Sequence, residues 1–445
     1  MASPPPGILV VGAGQAAVSL VTHLRELGDD SPVTVVGDEA HPPYERPPLS
    51  KAHLHPASGP PLPLPLLSPQ RWRELDVHLL TGTTVTDLTR GAGGAGGGGV
   101  ATTTAGPLPF ERLALVTGAE ARRLDVPGSD LPGVVTLRSV KDADALAARL
   151  RSVAADDVDT DGIDGSHGPR DLDVVVVGGG FIGLEVAATA RDLGHRVTVV
   201  EVTDRLLGRA VTPQLSGFFA LAHDRRGVRV LLGRRVVSLE SAGPTGGRPS
   251  RVGTVVLDDG ERLTADVVVT GVGARPRTAL ATALGLEVAA GGVVVDEHAV
   301  ASDGSTVAAG DCALGPNPFS RGVGGPLRLE SVAHAVDQAR AAAATLAGRP
   351  EAYRAVPWFW SDQFDLHLQI SGLPHGADRV VVRGDPAAEA FSLLAFRDGL
   401  LVAAECVGRP ADHVAVKRGL EKGLTADPDA VADADVPLRR LLRPA

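Results

Sequence analysis

A chain of 445 residues is too long for one ordinary hydrophobic core, so two or three domains are expected. Its formal net charge of -10 argues against nucleic acid or an anionic membrane as the main partner. Two cysteines, Cys312 and Cys406, cannot build a disulfide framework; with no secretion signal visible and no apolar run near the roughly 20 residues that span a bilayer, the expected compartment is the cytoplasm.

The first element is Ile8–Val11, a short continuous apolar run of the kind that a parallel strand covered on both faces requires. Glycines end it, a helical pattern runs over Gln15–Leu27, and a second β-branched run follows at Val33–Val36. The turn Gly12-Ala-Gly14-Gln-Ala-Ala17 fits the dinucleotide fingerprint with alanine in its third place. Gly12 makes the tight turn, Gly14 lets the backbone approach a pyrophosphate, and Ala17 permits close packing of helix on strand. The helix N-terminus offers unpaired N–H groups to phosphate. Asp38 and Glu39 stand about twenty residues on, where a carboxylate takes a ribose hydroxyl.

Further along, the Gly/Ala stretch Gly91–Gly99 and the Asp/Gly-rich stretch Ala154–Arg170 cannot bury much apolar surface and read as insertions or linkers. The first pattern then returns. Val174–Val177 leads into Gly178-Gly-Gly180-Phe-Ile-Gly183, a helical pattern over Phe181–Leu193, the run Val197–Val200, and Glu201 at its tip. An acid there accepts from a free 2′-hydroxyl and repels a 2′-phosphate, which favours NADH; Arg205 nearby is the residue that could blunt this preference. One glycine motif is a weak signal, but two such units in one chain imply two dinucleotides and electron transfer between them. From about Val356 the character changes. Trp358, Phe359, Trp360 and Phe364 crowd into a chain with only 3% aromatics, and strand-like runs follow at Val380–Arg383, Phe391–Arg397 and Leu400–Cys406.

More specific than the glycines are the segments Gly37-Asp-Glu-Ala-His-Pro-Pro-Tyr-Glu-Arg-Pro-Pro-Leu-Ser-Lys51 and Pro357-Trp-Phe-Trp-Ser-Asp-Gln363. Together with Thr117-Gly118, Gly271-Val-Gly-Ala-Arg-Pro276, Ala309-Gly-Asp-Cys312 and Arg328-Leu-Glu-Ser-Val332, they resemble the FAD-dependent ferredoxin reductases of oxygenase systems. The resemblance covers nearly the whole chain outside the two insertions. It implies an α/β protein with two Rossmann-like dinucleotide-binding domains in a glutathione-reductase-like architecture, plus a C-terminal α+β domain. The expected division is 1–119 with 264–331 for FAD, 120–263 for NAD, and 332–445 for the C-terminal domain.

Carried over residue by residue, the resemblance implies that Gly12, Gly14, Ala16, Asp38, Glu39, Arg46, Val85, Arg138, Asp311 and Val332 contact FAD. Trp360 would lie near the flavin or the docking face. Gly178, Gly180, Gly183, Glu201 and Gly273 would hold NADH. Lys51 would sit beside the isoalloxazine, paired with Glu185, as the catalytic pair. The helical pattern near Ser331 could aim its positive end at the flavin. Glu120 after Thr-Gly-Ala and His334 in place of an asparagine depart from the family. No metal site is read. No cysteine pair follows the first strand region, so a thiol relay is not expected.

These implications give a reductase that passes electrons from NADH through FAD to a two-iron ferredoxin serving an oxygenase, in a monomer or homodimer. Arg321, Lys417, Arg418 and Lys422 are candidates for a basic docking patch. Two alternatives stay open: an NADH oxidase or flavin reductase using oxygen or a small acceptor, and an NADH-binding redox-responsive signalling flavoprotein.

Overall fold

The computed structural model describes residues 6–55, 64–91, 98–151, 171–243, 251–320 and 324–445. Arg321, most of the Gly/Ala insertion and residues 152–170 lie outside them. Two parallel sheets and one antiparallel sheet organise the chain. In the first, strands run in the order Val307–Ala308, Arg112–Leu115, Ile8–Val11, Val33–Val36 and Val77–Leu80, all parallel. Ile8–Val11 and Val33–Val36 are buried at every position, which is why neither alternates; Thr34 is the one polar residue in the two.

The second parallel sheet repeats the plan. Its order is Val228–Leu232, Arg196–Glu201, Asp173–Val177, Val267–Thr270 and Val134–Thr136. The fingerprint helices, Gln15–Glu26 and Phe181–Asp192, follow the central strands of their sheets.

Two segments make contacts across the expected divisions. Val267–Thr270, beyond the expected return at 264, pairs in parallel with Val174–Val177 of the second sheet. The other is the helix Val332–Leu346, within the expected C-terminal domain. Its alanine face (Ala335, Ala339, Ala342 and Ala343) shares one core with Ala17, Leu20, Val21 and Leu24 of the first fingerprint helix. Small side chains on both helices permit that close approach.

The C-terminal unit is a five-stranded antiparallel sheet, ordered Trp358–Gln363, Leu366–Gly372, Leu400–Val407, Ala390–Arg397 and Arg379–Asp385. Period-two alternation sends its side chains two ways. Leu394, Phe396, Ala404 and Cys406 pack with Val416 and Leu420 of the helix Pro410–Glu421. Leu368, Ile370, Phe391 and Leu393 share a core with Leu206, Leu215 and Phe219 of the second unit. Phe218 meets Phe391 edge to face, with centroids 4.8 Å apart. Each such aromatic contributes about 1.5–3 kcal/mol on burial, so the sheet is fixed to the second unit and not merely tethered. Among the described residues no helix is long and apolar enough to cross a membrane.

Candidate active site

One cleft of roughly 2810 Å³ opens between the two parallel-sheet units and is lined by both glycine turns. A pocket for one small ligand is typically about 300–1,000 Å³, so this space is large enough for more than one such ligand. Both turns have the same construction. Gly12 has φ +113° and Gly178 φ +109°; a Cβ on the first would lie 2.2 Å from the Val116 carbonyl oxygen, and on the second 2.5 Å from that of Gly271. Only glycine closes these turns. A Cβ on Gly183 would meet the Gly178 carbonyl oxygen at 2.2 Å, whereas Ala17 is accommodated, fully buried, in the first helix.

Gly14 and Gly180 behave differently. Each precedes its helix with no side-chain cap, and a Cβ on either meets no protein atom within 4 Å. Protein packing does not require glycine at these two positions; a pyrophosphate lying over the helix N-terminus does. Neither helix has an acid in its first turn to compete for those N–H groups. The residues therefore fit two dinucleotides.

The strand-tip carboxylates divide their roles. Glu201 accepts from the Gly179 N–H at 2.7 Å and from the Thr203 N–H and hydroxyl at 2.8 and 2.7 Å, which sets its carboxylate at the rim of the second turn. Asp38 is half exposed and ion-paired to Arg277 at 2.8 Å. Glu39, which also lines the cleft, accepts from Tyr44 Oη at 2.5 Å and from Arg46 at 2.6 Å. Arg46 also donates to the Arg138 carbonyl at 2.7 Å. Burial, with Glu39 alongside, pushes the Tyr44 phenol up to about 12. For Arg46, burial pulls the guanidinium down, but Tyr44 and Glu39 outweigh it and the net direction is up. Arg205, which lines the cleft, donates to the carbonyls of Val211 and Gly208 and to Ser216 Oγ.

Across the cleft, Lys51 Nζ lies 2.7 Å from Glu185 Oε2, joining the first unit to the second fingerprint helix. Arg138 pairs with Asp311 at 2.8 Å. Ala16, Val85, Gly273, Val332 and Trp360 also line the cleft. Val332 opens the helix Val332–Leu346, capped by Ser331, whose Oγ accepts from the His334 N–H at 3.0 Å. Trp360 stacks on Trp358 with centroids 5.3 Å apart, and Lys417 lies over the Trp358 ring at 5.4 Å.

Glu120, one of the two departures, pairs with Arg275 across a two-stranded antiparallel sheet. His334 is buried against Tyr353, its Nδ1 2.9 Å from the phenol oxygen, and burial pushes its imidazole down to about 4. It is not among the residues lining the cleft. Cys312 and Cys406 are buried and free, and burial raises both thiols. Sequence reasoning did not single out Ser50, Tyr44, Arg277, Ser361 or Gln363 as site partners. Ser50, Tyr44, Ser361 and Gln363 all fall inside the quoted motif segments, which was the available signal.

The chain matches the family model of pyridine nucleotide-disulphide oxidoreductases over residues 6–339 and that of the reductase C-terminal domain over residues 358–442. It is 39% identical to rhodocoxin reductase of Rhodococcus erythropolis, over 97% of this chain and 93% of that protein. The ferredoxin reductase for the CYP199A2 system of Rhodopseudomonas palustris has the same structure with a TM-score of 0.86 and 36% identity, over 98% of this chain and 99% of that one. The reductase in the covalent putidaredoxin reductase–putidaredoxin complex superposes with a TM-score of 0.85 at 33% identity, over 99% and 98%. The chain thus belongs to the pyridine nucleotide-disulphide oxidoreductases, and within them to the ferredoxin reductases, oxidoreductases that use FAD and a nicotinamide dinucleotide.

Proposed function

We propose that this protein is the cytoplasmic NADH-dependent reductase of a two-iron ferredoxin that feeds an oxygenase. The observation that carries this reading is the single cleft onto which both glycine turns open, with Lys51 and Glu185 between them and no thiol within it. When bound, FAD would accept a hydride from the nicotinamide and release electrons singly to an outside carrier. Gly12, Gly14 and Ala16 would take the FAD pyrophosphate, with Asp38 near its ribose and Arg46, Val85, Arg138, Asp311 and Val332 along its length. Trp360 would close the flavin end. Gly178, Gly180 and Gly183 would hold NADH, Gly273 would line its nicotinamide side, and Glu201 would meet its 2′-hydroxyl. The negative charge of Glu201 at the rim of the second turn supports NADH over NADPH. For the domains we propose the divisions given above, with 264–270 returned to the NAD unit and 332–346 to the FAD unit.

The protein's own contribution is to position and to exclude. Lys51, tethered to Glu185 and to the Pro47 carbonyl at 3.2 Å, keeps one N–H for the cleft. The Ser331-capped helix adds its positive end from the other side, and positive charge there favours an anionic reduced ring. Lys417 beside the Trp358 ring, with Arg418 and Lys422 on the same helix end, supports an acidic ferredoxin docking near the aromatic strand.

Anaerobic stopped-flow reduction by NADH, followed by mixing with a two-iron ferredoxin or with aerated buffer, tests the reading. Fast reoxidation only with ferredoxin is expected; fast reoxidation by air alone would overturn it in favour of an oxidase. Lys51→Ala should slow reduction by NADH or loosen FAD, read as rate constant and flavin content; a wild-type rate at full flavin content would remove Lys51 from the mechanism.

A further inference from the structure

The Lys51–Glu185 pair does not end at the cleft. Glu185 is 2% exposed, and both of its oxygens are taken: Oε2 accepts from Lys51 at 2.7 Å and Ser50 Oγ at 2.5 Å, and Oε1 accepts from Ser361 Oγ at 2.7 Å. Ser361 Oγ in turn accepts from Gln363 Nε2 at 3.2 Å, and Gln363 Oε1 lies 2.8 Å from His223 Nε2. Because the Gln363 carbonyl faces His223, that nitrogen must be the one carrying the hydrogen. Its other nitrogen, Nδ1, is buried with no hydrogen-bond partner among the described residues.

Every donor in this chain thus points toward Glu185, from His223 through Gln363 and Ser361. Ser361 and His223 are fully buried and Gln363 nearly so. The path crosses three units. Ser50 and Lys51 belong to the first, Glu185 and His223 to two helices of the second, and Ser361 and Gln363 to the aromatic strand of the C-terminal sheet.

A buried carboxylate facing one lysine is costly unless its remaining lone pairs are satisfied. Aligned hydrogen bonds in a low-dielectric interior polarise one another in the direction their donors point. We propose that Ser361, Gln363 and His223 are positioning residues for the reduction step: they hold Glu185, and through it Lys51, so that docking of the C-terminal unit fixes the charge presented to the flavin. This rests on the flavin-facing role of Lys51 given above.

The test uses the FAD-loaded enzyme with Ser361→Ala, Gln363→Met and Lys51→Met, alone and in pairs with Lys51→Met. The midpoint potential of the bound flavin and the anaerobic rate constant for reduction by NADH are both measured. Ser361→Ala should lower the potential and slow reduction by roughly tenfold, the worth of one hydrogen bond to a charged group, and Gln363→Met, which removes a neutral bond one step further out, by roughly threefold. Neither should add anything in the Lys51→Met background, since the chain acts through that lysine. An unchanged potential in Ser361→Ala, or equal losses with and without Lys51, would overturn the proposal and leave the chain as plain interdomain packing. If Gln363→Met fails to fold, the milder Ser361→Ala decides alone. Should Lys51→Met itself leave potential and rate untouched, the underlying reading of Lys51 fails instead, and that outcome is separate from the others.

Discussion

At the scale of single residues, the glycines of the second turn separate folding from binding. Gly180 has open space where a Cβ would go, while Gly183 has a carbonyl oxygen at 2.2 Å. Gly180→Ala should therefore cost no more than about 1 kcal/mol, the preference for Gly over Ala at a helix N-cap, yet raise the KM for NADH. Gly183→Ala forces the helix off its strand and should cost about 1–3 kcal/mol in denaturant unfolding. A large stability loss in the first variant would mean that its glycine serves packing after all. Glu201 supports a second residue-level expectation. Glu201→Gln keeps an acceptor for the Gly179 N–H but drops the charge that repels a 2′-phosphate. The ratio of kcat/KM for NADH over NADPH should fall by roughly tenfold, or about 1.4 kcal/mol. A ratio that does not move would place the discrimination elsewhere.

Elements differ in how much of them the residues reveal. Ile8–Val11, Val33–Val36 and the two fingerprint helices were legible because each is local: apolar run, glycine, helical period, β-branched run. Observed ends differ from the sequence reading by one or two residues, for example Gln15–Glu26 against Gln15–Leu27. The sheet that Val267–Thr270 joins was not legible, since its apolar run would serve either sheet and only pairing with Val174–Val177 decides. The helix Val332–Leu346 was visible, but not its partner, because an alanine-rich face carries little directional signal until it meets another such face. The serine partners of Glu185 were hidden for a similar reason: Ser50 and Ser361 are 311 residues apart in sequence and meet only when the units dock. The start of a helix near Ser331, by contrast, was anticipated, and its cap bears on the site. Ser331→Ala leaves the His334 N–H without its acceptor and should cost about 1 kcal/mol by denaturant melts of the holoenzyme. A cost near zero would mean that water replaces the hydroxyl.

For the whole molecule, the contact that registers the C-terminal sheet against the second unit is also one that responds to pH. Glu405 is fully buried on the sheet face that meets the second unit. It accepts from the Thr212 N–H at 2.8 Å and from the Thr212 hydroxyl, at the N-terminus of the helix Pro213–Arg225. Burial pushes its carboxyl up to about 7, against the lowering effects of Thr212 and of Arg205, the charged neighbour that acts on it. A carboxyl raised on folding contributes most below its unfolded value near 4.5 and loses that contribution as pH climbs through about 7. Across that window the unfolded chain has released the proton and the folded one still holds it, so stability falls with rising pH, by up to about 3 kcal/mol from this group. Glu405→Gln removes the titration while keeping an acceptor for the Thr212 N–H. The stability of the variant relative to wild type should therefore rise between pH 5 and pH 8, then level off. A difference that stays flat over that range would show that Glu405 folds already ionised, held by the helix N-terminus and Arg205. The helix Pro213–Arg225, whose N-cap Thr212 it binds, comes shortly after the segment Leu207–Ala210, which lines the cleft. The same titration should therefore appear in the KM for NADH of the wild type and vanish in Glu405→Gln, provided that loop is carried by the helix it leads into.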